Sequence, residues 1–166
     1  MPRRPKVPVL YDDTHRGCHG SASVHSMANN ATLIGYLQHH FSSTDGSFSI
    51  CIAGGQGNVV SKTLYESIPE ANRPTLDTQD TPEVDFLIGP SQKALGSIIM
   101  PIVLRNRDTG KKFCIKLYAF VIEHLLMGMF IGASNDWLLC DQGGTPRTYI
   151  CDFGNGTRTV IEQISH

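Results

Sequence analysis

Every apolar run in this chain is short and stops at a turn-forming residue, which points to strands rather than long helices. Phe48-Ser-Ile-Cys-Ile-Ala53 alternates in character, as a half-buried strand does. Val84 to Ile88, Leu95 to Leu104 and Lys111 to Val121 continue the series, separated by Gly89-Pro90-Ser91-Gln92 and by Arg105-Asn-Arg-Asp-Thr-Gly110. Arg147 to Cys151 and Thr157 to Glu162 flank Asn155-Gly156, a pair that accepts positive φ and so predicts a hairpin. The longest apolar window, Leu125 to Gly132, is far below the roughly 20 residues that cross a bilayer, so no membrane partner is expected. The fold class expected is all-β, mostly antiparallel, with one or two short helices.

Composition agrees. The chain is 40% hydrophobic and 17% charged, against about 25% charged in an average globular protein, which excludes a highly charged disordered chain. Its 166 residues suffice for a real core, and sixteen glycines fit a turn-rich fold. Fourteen Lys+Arg against fifteen Asp+Glu give a net charge of −1, so no broad basic field exists to hold a nucleic-acid backbone. No nucleic-acid partner is expected.

Five cysteines, Cys18, Cys51, Cys114, Cys140 and Cys151, form no CxxC pair. Three of them lie inside apolar runs, where a buried free thiol is the ordinary reading. The basic start, Met1-Pro-Arg-Arg-Pro-Lys6, is followed by no apolar stretch and does not read as a secretory signal. A reducing, cytoplasmic location is expected.

Residues 1–45 read as a leader outside the folded unit, and 46–166 as the domain. The first 28 residues are rich in Pro, His, Ser, Gly and Arg without a period. Residues 29–41 fit either a short helix or an irregular strand. Lys62 to Ser67 predicts a helical turn or two closed by Pro69, and Ser134 to Cys140 a short helix with Ser134 as N-cap. Residues 69–84 carry three prolines and read as a loop.

Several motifs fail on their surroundings. Asp108-Thr109-Gly110 spells the catalytic triplet of aspartic proteases, but Arg-Asn-Arg and Lys-Lys flank it, which fits a solvated hairpin turn. Asp152-Phe153-Gly154 lacks the other elements of a kinase and reads as a turn. Gly54-Gly-Gln-Gly57 has no Gly-Lys-Ser/Thr ending and is not a P-loop. His15, Cys18, His19 and His25 are dense enough to suggest zinc, yet match no standard spacing. No metal and no cofactor are expected.

Residues 47–162 together resemble the retropepsin-like aspartic protease domain of retroviruses and LTR retrotransposons. Four pieces carry the likeness in order: Ile50-Cys-Ile-Ala-Gly-Gly-Gln-Gly-Asn-Val-Val-Ser-Lys-Thr-Leu-Tyr-Glu-Ser-Ile-Pro69; Phe86-Leu-Ile-Gly89 with Leu95-Gly-Ser-Ile-Ile-Met-Pro-Ile102; Leu125-Leu-Met-Gly-Met-Phe-Ile131; and Ile150-Cys-Asp-Phe-Gly-Asn-Gly-Thr-Arg-Thr-Val160. The resemblance implies a retropepsin-like half-barrel, a flap around Ile88 and Gly89, a groove wall at Met127 and Gly128, and assembly as a homodimer.

It also exposes a departure. The family's catalytic aspartate falls on Ile52, its Ser/Thr on Ala53 and its glycine on Gly54. Two such aspartates sharing one proton do the family's chemistry, and isoleucine can neither donate nor accept a proton. No Asp or Glu occurs from Gly46 to Tyr65, so a small shift of alignment restores none. Three functions stand open on the sequence: a retrotransposon-derived, proteolytically silent domain that dimerises or holds an extended peptide; an active aspartic endopeptidase, with Asp108 as claimant; and an unrelated small β-rich interaction domain.

Overall fold

A computed structural model of the chain describes residues 7–13, 22–26, 32–87, 89–125, 127–141, 148–154, 156 and 158–164. Its strands are β1 (Val9–Asp12), β2 (Ala22–Ser26), β3 (Thr32–Tyr36), β4 (Ser47–Gln56), β5 (Asn58–Ser61), β6 (Glu83–Phe86), β7 (Gln92–Lys93), β8 (Gly96–Arg105), β9 (Lys112–Ile122), β10 (Met129–Gly132), β11 (Leu138–Asp141), β12 (Thr148–Asp152) and β13 (Arg158–Val160). One α-helix, α1 (Lys62–Ser67), and a short 3-10 turn at Glu70–Asn72 complete the described elements. The molecule is all-β with little helix, as expected, and no helix among the described residues is long and apolar enough to cross a membrane.

The first ten strands form one sheet in the order β10-β5-β9-β8-β3-β4-β2-β6-β7, with β1 joined to β9. A further pairing of β10 with β4 closes the ring β10-β5-β9-β8-β3-β4 into a barrel. Strands β11, β12 and β13 make a separate antiparallel sheet.

The long β8–β9 ladder, from Gly96↔Val121 to Arg105↔Lys112, is the spine of the barrel. Its inward row from β9 is Phe113, Ile115, Leu117, Ala119 and Val121, and these join Ile98, Met100, Ile102 and Leu104 of β8 in the main core. β-branched and aromatic side chains fill such a pleated surface well, which is why this stretch forms strand rather than helix. Pro101 is tolerated inside β8 because the other edge of that strand pairs with β3 only at Tyr36↔Val103, so a missing N–H costs little. The turn between the two strands is held by Asn106, whose Oδ1 accepts from the N–H groups of Asp108 (2.8 Å) and Thr109 (3.1 Å). Gly110 closes it at φ +71°. Asp108-Thr109-Gly110 is therefore a solvated turn, with Asp108 paired to the Arg107 guanidinium at 3.0 Å.

Two expectations about the chain's organisation give way. The boundary at residue 45 does not hold for the described residues of that stretch. β1 pairs parallel to β9, β2 runs antiparallel to β4 and parallel to β6, and β3 runs antiparallel to β4. Their apolar content is too thin to show a period: β2 buries only Ala22 and Val24 among its described side chains. The helix expected from Ser134 to Cys140 is also absent. Gly132 O accepts from Asn135 N and Asn135 O from Leu138 N, two successive turns, after which Leu138–Asp141 pair with β12. Within the stretch 29–41, Thr32–Tyr36 form strand, as β3, and residues 29–31 lie outside the described residues. By contrast α1 forms as expected, with Ser61 Oγ accepting from Leu64 N at 3.0 Å and Pro69 beyond its end.

The barrel interior sets the stability of the whole. Ile115 has no exposed surface, and Ile115→Ala is expected to lower unfolding free energy by about 2–5 kcal/mol in urea denaturation, as a cavity in a well-packed core does.

Candidate functional site

The candidate site grows out of one strand, β4, and its continuation. β4 runs through Ile50-Cys-Ile-Ala-Gly-Gly-Gln56, turns at Gly57 and returns as β5. Consecutive strands joined by so tight a turn ordinarily pair with each other. Here β10 lies between them, parallel to β4 (Met129↔Ile50 to Gly132↔Ala53) and antiparallel to β5 (Met129↔Val60 to Ile131↔Asn58). The turn at 55–57 uses positive φ at Gly55 (+125°) and Gly57 (+72°), within the glycine-rich stretch 54–57.

The tip of β10 docks on that turn. Gly132 N donates to Gly57 O at 3.0 Å, Ala133 N to Ala53 O at 2.8 Å and Ser134 Oγ to Gly55 O at 2.9 Å. A Cβ on Gly132 would stand 2.6 Å from Gly57 O and 3.1 Å from Gly55 O, both backbone atoms, so the approach admits only glycine. The glycine that abuts the turn is thus Gly132, at the end of Phe130-Ile131-Gly132. The expected Gly128 lies before β10, where its carbonyl accepts from Ser61 N at 2.9 Å, and Met127 packs half-buried on the outer core.

Side chains of β4 alternate between two cores. Ile50 and Ile52 enter the barrel interior, and both have no exposed surface. Cys51 and Ala53 face an outer core with Ala22, Val24, Val59, Val84, Ala94, Phe120, Ile122 and Phe130. Ile52 is therefore packed among aliphatic side chains, an environment in which an ionised carboxylate would be strongly penalised. Gly54 is half-buried and pairs in register with Ser26 of β2.

Over the outer core stands the hairpin β6–β7, with Glu83↔Lys93 and Val84↔Gln92 in register. Gly89 sits in its tip at φ +96° with open space around it, and Leu87 beside it is 65% exposed. Ile88 lies outside the described residues. Ser91 Oγ donates to Asp85 Oδ1 at 2.7 Å across the tip. Gln92 clamps the second leg through both amide groups, donating to His124 O (2.9 Å) and accepting from His124 N (3.2 Å). Between this hairpin and the end of β4 lies β2.

Polar groups missed by reading the sequence gather at the rim. Asn58 is 4% exposed. Its Nδ2 donates to Tyr118 O at 3.0 Å, and its Oδ1 accepts from Asn135 Nδ2 at 3.1 Å. Tyr118 donates its hydroxyl to Asp80, and its backbone N donates to Asp13 Oδ2 at 3.0 Å. No local pattern signals these pairs, since the partners lie 38 to 105 residues apart. Asp108 bonds to Arg107 and Asn106 inside its own turn and is not brought to Ile52.

Among the described residues no group of three or more His, Cys, Asp or Glu is placed to hold a metal ion. His15, Cys18 and His19 lie outside the described residues, as does the side chain of His25. The buried thiols are inert in character. Burial pushes Cys51 and Cys114 up, and Cys151 up to about 12, while Cys140 is exposed. No protein-family model matches the chain, and no curated protein matches its sequence.

Two measurements follow. Gly132→Ala is expected to cost about 1–3 kcal/mol by overpacking at backbone atoms, read as a lowered urea midpoint. In the folded protein a thiol reagent at mildly alkaline pH is expected to label Cys140 and to leave Cys51, Cys114 and Cys151 unlabelled until denaturant is added. Because folding raises these three thiol pKa values, their protonated state supports the fold below the ordinary thiol value of about 8.5, and stability falls as pH rises above it.

Proposed function

We propose that the chain is a retropepsin-like domain without peptidase activity that holds extended polypeptide by strand addition. What carries this reading is Ile52. It occupies the position that the resemblance gives to the catalytic aspartate, and it is fully buried in an aliphatic core. The pieces of the resemblance also succeed one another in space. A strand and glycine turn lead to α1, a hairpin surrounds Gly89, Met129–Ile131 of the third piece pair with Ile50–Ile52, and the hairpin β12–β13 follows.

Strand addition is the chemistry open to such a groove. An extended segment satisfies its backbone on neighbouring strands and is selected by alternate side chains. Homodimerisation, which the resemblance implies, is a less direct reading here. Terminal strands left unpaired would favour it, but β1 pairs with β9, and Ile164 N donates to Thr32 O at 2.9 Å within the same chain. Among the described residues β7 and β11 each end a sheet and pair with one strand only, so both present an edge that a second copy would use.

A peptide library incubated with the protein from about pH 3 to about pH 7, the range over which paired carboxylates titrate, is expected to stay intact. Cleavage that Asp108→Asn abolishes would establish the active alternative instead. Ile52→Asp is expected to lower stability by at least about 3 kcal/mol near neutral pH, since it buries a carboxylate among aliphatic groups. Burial raises the folded-state pKa above the unfolded value of about 3.9, so the loss is smallest in acid and grows as pH rises through that window. A destabilisation independent of pH would show that position 52 reaches water and would remove the buried-core reading.

A further inference from the structure

We infer that the channel between the β6–β7 hairpin and the glycine-rich end of β4 is a strand-acceptor site that the chain fills with its own residues Ala22–Ser26. We infer also that the site takes another extended segment of the same pattern when β2 leaves. This rests on the reading of the domain as a binder of extended polypeptide, and it names the occupant and the regulation of that groove.

β2 is bonded as an inserted ligand strand would be. On one side it runs antiparallel to β4, with Ser23↔Gln56, Val24↔Gly55 and Ser26↔Gly54. On the other it runs parallel to the hairpin strand, with Ala22↔Val84, Ser23↔Asp85 and Val24↔Phe86. Leu87 N, at the root of the hairpin tip, donates to Val24 O at 2.8 Å. Gln56 N donates to Ser23 Oγ at 3.4 Å. The acceptor edge is Gly54-Gly55, where no Cβ obstructs a neighbouring backbone.

Selection is equally local. Ala22 and Val24 are 3% and 5% exposed and sit in the outer core with Ala53, Val84, Phe120 and Phe130, while Ser23 between them is half-buried. The site therefore recognises an extended segment with small aliphatic side chains at alternate positions and a small polar one between. Among the described side chains of β2 the buried anchors are Ala22 and Val24, and its ladders to β4 and β6 hold three register pairs each, whereas the barrel spine is a ten-pair ladder. Such a segment belongs to the part of a fold that opens without global unfolding.

The test uses the full chain and a fluorescein-labelled peptide of residues 20–27, Gly-Ser-Ala-Ser-Val-His-Ser-Met. Val24→Asp in the full chain places a carboxylate in the outer core and ejects β2. Fluorescence anisotropy is expected to show the peptide binding the Val24→Asp chain at least about tenfold more tightly than wild type, a difference of about 1.4 kcal/mol. The peptide carrying the same Val24→Asp change is expected to bind neither. Hydrogen exchange monitors the fold, with Leu87 N losing protection in the variant and the amides of β9 retaining it.

Equal binding of the peptide by wild type and variant would overturn self-occupancy and leave the proposed function standing. No binding by a variant that has lost Leu87 protection but kept that of β9 would overturn the acceptor site, and with it the peptide-holding role. If Val24→Asp unfolds the protein globally, exchange in the wild type decides. Leu87 N exchanging faster than the β9 amides supports a displaceable strand, and exchange of both together at the global rate refutes it.

Discussion

The insertion of β10 between β4 and β5 is the constraint on which the remaining structure depends. It closes the barrel, because without the β10–β4 pairing the strands would form an open sheet with two edges. It also makes the turn at 55–57 a rigid feature. Gly132, Ala133 and Ser134 bond to the carbonyls of Gly57, Ala53 and Gly55, so the backbone there is held from outside rather than by a hairpin of its own. The hairpin β6–β7 and β2 are then built on an edge whose position is already set.

Closure also assigns each side chain of β4 to one of two environments. In a strand successive residues point to opposite faces. Fixing the register at Gly132↔Ala53 puts Ile52 inside the barrel and Ala53 outside it. An isoleucine at 52 is consistent with this placement at every level. It favours strand, it fills volume, and it brings no charge among the apolar side chains of that core. The same outward face that takes Ala53 and Cys51 offers small, apolar ground, suited to burying a neighbouring strand rather than to moving protons.

The parts legible in the sequence are those specified by neighbours along the chain. The alternation at Phe48–Ala53, the apolar strands on either side of the Arg105–Gly110 turn, the Ser61 cap before Lys62–Ser67 and the pairing of β12 with β13 across a connection whose Asn155 lies outside the described residues each rest on residues within a few positions of one another. Position 52 was legible too, since its lack of a titratable group is a fact of identity. The strands of residues 9–36 were not. Ala22 and Val24 are buried by Val84 and Phe130, and their own pattern is too short and too weakly apolar to announce a strand. Nor could the string Met-Gly-Met-Phe-Ile-Gly reveal which of its glycines abuts the turn, because Gly128 and Gly132 both flank the same apolar run and the backbone of Gly55 and Gly57 that Gly132 meets lies far away in sequence.

By itself, then, the sequence determined an all-β chain of short strands broken by turns, no broad charged face, and no proton-transfer group at position 52. Those properties follow from composition and short-range pattern, which a linear string contains in full. The tertiary structure alone decided that β10 separates two consecutive strands, that Asn58, Asn135, Tyr118, Asp80 and Asp13 meet, and that residues 22–26 lie in the channel under the hairpin. Each of these joins residues tens of positions apart, and the physical reason is the same in every case. Their partners are chosen by strand register and by which face of a closed sheet is left to bury, and both exist only after the barrel has formed.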